Sequence, residues 1–133
     1  MRRVLILAAA APLLMAQTMP PGVRMGEGIP RQSCGYGEAL GHLRAVEREA
    51  GRRVTGVGEG RLRGERSLAG LETAASAFQA CGCARLAELT REAGLVAAST
   101  PSEASVARLT ELFGQVAFRA RLARESSEER GCR

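Results

Sequence analysis

Apolar residues recur every three or four positions over three stretches of the chain. The first carries Leu40, Leu43, Val46 and Ala50. That period marks a helix with one buried face, and it predicts a first helix over Tyr36 to Arg52. Glu38 in its first turn and Arg48, Arg52 and Arg53 at its end suit the helix dipole, and Gly51 is its stop. The second stretch runs through Leu68, Leu71, Ala75, Phe78, Gly82, Leu86, Leu89, Ala93 and Val96. The unbroken alternation predicts one long helix from Ser67 to Ala98, with Ser67 as N-cap and a bend at Gly82. The third carries Val106, Leu109, Phe113, Val116, Ala120 and Ala123, broadened by Leu112. Thr100-Pro101-Ser102-Glu103 before it reads as an N-cap, a proline at the first helical position and the acidic end of a capping box. A third helix is expected from there to about Glu125.

The segments between and around these stretches lack that period. Val54 to Gly64 alternates Gly56, Gly58 and Gly60 and reads as a flexible loop. It lacks the Lys-Ser/Thr that a phosphate-cradling glycine loop requires. At the N-terminus, Arg2 and Arg3 precede an apolar run from Val4 to Met15 ending at Ala16. This is the pattern of a secretory signal peptide, residues 1–16, and the run is short for a membrane span, which takes roughly 20 apolar residues. Residues 17–33, with Pro20, Pro21 and Pro30, read as a flexible leader. Residues 34–133 form the expected helical domain.

Composition narrows the function classes. The chain has 133 residues and a formal charge of +5, which falls to +3 without Arg2 and Arg3. Every basic residue is Arg and every acidic one Glu, a bias that fits GC-rich coding. Aromatic residues make up 3% of the chain, so the stacking platforms of a nucleic-acid binder are missing, and no nucleic-acid partner is expected. Much of the 45% apolar content is alanine, which buries little area. So thin a core calls for covalent staples.

Four cysteines supply them: Cys34, Cys81, Cys83 and Cys132. An even count in a small exported domain favours disulfides. On one helix Cys81 and Cys83 stand about 200° apart and cannot bond each other. Two pairings remain. Cys34–Cys83 with Cys81–Cys132 is slightly favoured over Cys34–Cys81 with Cys83–Cys132. Either makes the second helix a spine bonded to the start of the first helix and to the tail after the third. The competing chemistry is thiol exchange or a soft metal at Cys81-Gly82-Cys83, though zinc usually wants four ligands and the sole histidine is His42.

Other polar groups read as surface features. His42 stands one turn from Glu38, and without Asp no triad can form. Glu88 and Glu92 read as solvated partners of Arg85 and Arg91. Arg119, Arg121 and Arg124 read as a solvated helix end, with contact to an anionic envelope surface as the weaker alternative. No catalytic residue, cofactor or metal site is assigned. The expectation is an all-α protein of three antiparallel helices stapled by two disulfides. It is exported to the periplasm or beyond, is not an enzyme, and acts by binding another protein.

Overall fold

The chain reverses direction at Gly82, whose φ of +76° lies in the left-handed region. The computed structural model describes residues 34–132. It is all-helical, with α1 at Tyr36–Ala50, α2 at Val57–Ala80, α3 at Ala84–Ala97, a 3-10 turn at Thr100–Ser102 and α4 at Val106–Arg130. Each helix packs on its neighbours in sequence, and α4 closes back onto α1. The result is an up-down-up-down four-helix bundle. No helix among the described residues is long and apolar enough to cross a membrane. The expected signal peptide and leader, residues 1–16 and 17–33, lie outside the described residues.

Four helices replace the expected three because the long second helix is two. At its break the Gly82 N–H bonds the Gln79 carbonyl at 3.0 Å and the Cys83 N–H bonds the Phe78 carbonyl at 2.8 Å. That pair of bonds is a Schellman motif, which places a left-handed residue just past the helix, and glycine adopts it without strain. Gly82 is therefore an exposed turn residue and not part of the core line. The apolar alternation continues across it because α2 and α3 both face one core. Gly94 of α3 lies against Leu68 and Leu71 of α2, so the two run antiparallel.

Two further boundaries move. α2 begins at Val57 and absorbs most of the glycine-studded segment. Its N-cap is Gly56, while Ser67 is buried within the helix. Two of the glycines have a packing role. A Cβ on Gly60 would sit 2.8 Å from Leu109 Cδ1, and one on Gly64 would overlap Thr100 Oγ1. α4 begins at Val106 with Ser105 as its cap, the Arg108 N–H donating to Ser105 Oγ at 3.3 Å. Thr100 is no N-cap. It lies buried in the 3-10 turn and donates from Oγ1 to the Ala97 carbonyl at 2.7 Å. The Glu103 carboxylate accepts from the Ala104 and Ser105 N–H groups instead of closing a capping box. α4 continues past Glu125 to Arg130.

The core centres on Leu43, Leu71, Phe78, Leu86, Leu109, Phe113 and Val116. Between them run alanines such as Ala39, Ala74, Ala87, Ala93, Ala97, Ala120 and Ala123, each fully buried. Tyr36 packs edge-on against Phe78, centroids 5.5 Å apart, and its hydroxyl donates to the Ser127 carbonyl at 3.3 Å, tying α1 to the end of α4.

Gly64→Ala tests the close approach of Thr100. The added methyl has no space, so the variant loses about 1–3 kcal/mol in urea unfolding despite alanine's better helix propensity. Unchanged or raised stability would contradict that contact.

Candidate functional site

The four predicted site cysteines meet at one end of the bundle, where α1 and α3 begin and α2 and α4 end. Cys34 pairs with Cys81 and Cys83 with Cys132, at Cα separations of 5.0 and 4.5 Å. Both distances suit disulfides. This is the second of the two pairings that the sequence leaves open, so the slightly favoured one is corrected. The reason is the turn at Gly82. It leaves Cys81 as the last residue of the α1–α2 hairpin and makes Cys83 the N-cap of α3. Each cysteine then meets the far end of its own hairpin, and no helical spine joins the two. With every sulfur paired, Cys81-Gly82-Cys83 offers no thiolate to a metal or a redox partner. Such pairs fit a compartment outside the reducing cytoplasm.

The opposite end is built around Arg63, only 3% exposed. Its Nη1 donates to the carbonyls of Arg52 at 2.6 Å and Glu49 at 3.4 Å, and its Nη2 to the Arg53 carbonyl at 3.1 Å. These close the C-terminal end of α1, whose carbonyls lack helical partners. Nε donates to Glu59 Oε1 at 2.8 Å, and Nη2 bonds the same oxygen. The guanidinium also lies 5.3 Å from the centre of the Phe113 ring, a cation–π distance. The hydrogen bond from Arg63 holds the Glu59 carboxyl below the usual carboxylate range. No apolar period marks Arg63, so sequence reasoning missed it. The available signal was Glu59 and Arg63 one helical turn apart.

The α4 arginines are drawn into ion pairs. Arg119 meets Glu92 of α3 at 3.2 Å, while Arg121 and Arg124 grip the two oxygens of Glu47 on α1 at 3.0 and 2.9 Å. Arg124 also meets Glu128 at 3.0 Å. These bonds, that from Arg124 foremost, lower the pKa of Glu47, and the Arg124 guanidinium is raised in turn by Glu47 and Glu128. Glu88 pairs with Arg85 at 2.9 Å, so Glu88 and Glu92 serve different partners. The outer face of α4 carries Phe118 and Leu122, one turn apart and 64% and 44% exposed.

A cleft of about 440 Å³ opens between α1 and α2, with His42, Ala45, Val46, Glu49, Ser67 and Gly70 among its walls and Arg52, Arg63 and Arg66 at one end. His42 Nε2 stands 3.9 Å from Glu38. Ser67 is 3% exposed and its Oγ has no hydrogen-bond partner. Read as a cap, Ser67 went unrecognised as a buried wall residue. Its place in helical register with Arg63 and Gly70 was the signal. No family model, curated protein or solved structure matches the chain.

Two measurements check these interactions. Arg63→Met strips Glu59 Oε1 and the Arg52 and Arg53 carbonyls of their side-chain donor, while the Glu49 carbonyl keeps the Arg52 N–H, and lowers stability by about 1–3 kcal/mol, the cost of leaving acceptors beside a buried site unpaired. Glu59→Gln, which keeps an acceptor, loses less. Wild-type stability against that of both variants in urea decides the matter, and an Arg63→Met loss no larger than that of Glu59→Gln would contradict the clamp. The second concerns pH. Glu47 and Glu59 have folded-state pKa values below the ordinary 4.5. Their stabilisation is complete above that value and disappears as pH falls through the lowered folded values. Glu47→Gln/Glu59→Gln therefore shows a shallower acid limb of stability against pH than the wild type. Coincident limbs would refute the assignment.

Proposed function

We propose that this is an exported, non-enzymatic helical protein that acts by binding another protein through the outer face of α4. Phe118 and Leu122 carry the reading. They lie one turn apart on a helix whose other faces are committed to α1 and α3, and adjoining apolar groups held in water mark an interface more often than single ones such as Leu62 or Leu95. The paired cysteines support an oxidising compartment, and the N-terminal apolar run supplies the route out of the cytoplasm. Two disulfides give α4 a rigid frame, which lowers the ordering cost of association.

The test is photo-crosslinking in the native host with benzoylphenylalanine at position 118, against a control at exposed Thr73 of α2. The expected result is a discrete heavier species at 118, absent at 73, in the periplasmic fraction, on a chain whose intact mass shows loss of residues 1–16. No adduct at 118, or the same adducts at both positions, would refute the interface. A cytoplasmic chain of full mass would refute export.

A further inference from the structure

The cleft between α1 and α2 lies across the bundle from the α3–α4 edge and has its own chemistry. Its volume, about 440 Å³, falls within the range of small-molecule sites. Ala45, Val46 and Gly70 give it an apolar wall. Gly70 keeps it open, since a Cβ there would stand 3.3 Å from Val46 Cγ2 and 4.0 Å from His42 Nδ1.

The charges are unequal. Glu49 is taken by Arg52 at 3.2 Å, and Arg63 by Glu59 and three carbonyls. Arg66 lines the same cleft and makes no ion pair among the described residues. Beside it in sequence, Ser67 buries a hydroxyl without a partner. A buried hydroxyl left unpaired is costly and uncommon in native proteins. A basic group without an acid and a donor without an acceptor, on one apolar wall, define a ligand by what each lacks.

We propose that the α1–α2 cleft binds a small organic carboxylate with a short apolar body. Its carboxylate pairs with the Arg66 guanidinium and accepts a hydrogen bond from the Ser67 hydroxyl, and its apolar part lies along Ala45, Val46 and Gly70. An amine of the same shape meets Arg66 as a like charge and is rejected.

The test uses the disulfide-bonded mature chain and amide chemical-shift titration. Phenylacetate and hexanoate are the probes, with phenethylamine and 2-phenylethanol as controls. The expected result is saturable shifts at residues 42–49 and 66–70 with both carboxylates and much weaker response to the controls. Ser67→Ala weakens phenylacetate binding about tenfold or more, the scale of one hydrogen bond to a charged group. The same variant, without ligand, melts no lower than wild type, because it removes an unpaired hydroxyl. Arg66→Gln, on an exposed side chain that leaves the fold intact, weakens phenylacetate about two- to fivefold, the scale of a solvent-exposed ion pair. Three outcomes each overturn the proposal: neither carboxylate binds in the cleft, phenethylamine binds as tightly as phenylacetate, or both variants bind phenylacetate like wild type.

Discussion

The left-handed turn at Gly82 sets the architecture. It divides the helical part of the chain into two hairpins, α1–α2 and α3–α4, and hands one cysteine to each. Cys34–Cys81 seals the first hairpin across a separation of 47 residues, and Cys83–Cys132 seals the second across 49. Both seals sit at the same end of the bundle, so each hairpin's helices stay together even where the contacts between hairpins loosen. In the chain-entropy account each bond adds about 2–4 kcal/mol by restricting the unfolded chain. That matters in a core lined so heavily with alanine. Alanines let helix backbones approach closely but contribute little buried area each.

The other end carries the α1–α2 and α3–α4 connections but no disulfide among the described residues, and it is closed by polar groups. α2 extends past the end of α1, and Arg63 on that overhang reaches back to the carbonyls where α1 stops. Arg61 on the same stretch donates to the Glu103 carbonyl at 2.7 Å, tying α2 to the segment that leads into α4. Gly64 lets Thr100 settle against α2 between them. One end of the bundle thus responds to redox conditions and the other to pH, through Glu59. The long sides are joined by apolar packing and by ion pairs such as Glu47 with Arg121 and Arg124.

The helical class and most of the core were legible in the spacing of apolar residues. Leu43, Val46, Leu71, Phe78, Leu86, Leu89, Leu109, Phe113 and Val116 are all buried where the period places them. The break at Gly82 was hidden because both hairpin arms face one core, so the apolar alternation passes through the turn unchanged. Glycines misled in opposite directions. Gly82 read as a helical bend and is a reversal, while Gly60 and Gly64 read as loop and are helical contact points. The capping box at Thr100 followed a real local preference, but tertiary packing against Gly64 uses the Thr100 hydroxyl elsewhere. Ser67 and Arg63 lie one and two turns before Leu71 on the buried line of α2, but as polar residues they carry no apolar signal, so only their register pointed to burial.

The disulfide connectivity tests this account most directly. Tryptic digestion of the non-reduced protein yields one cluster of three peptides, spanning 32–44, 67–85 and 131–133. Electron-transfer fragmentation of the backbone on either side of Gly82 separates Cys81 from Cys83 within it. The two-hairpin fold predicts that the fragment ending at Cys81 carries the Cys34 peptide and the one beginning at Cys83 carries the Cys132 peptide. The crossed arrangement, or a bond between Cys81 and Cys83, would contradict it.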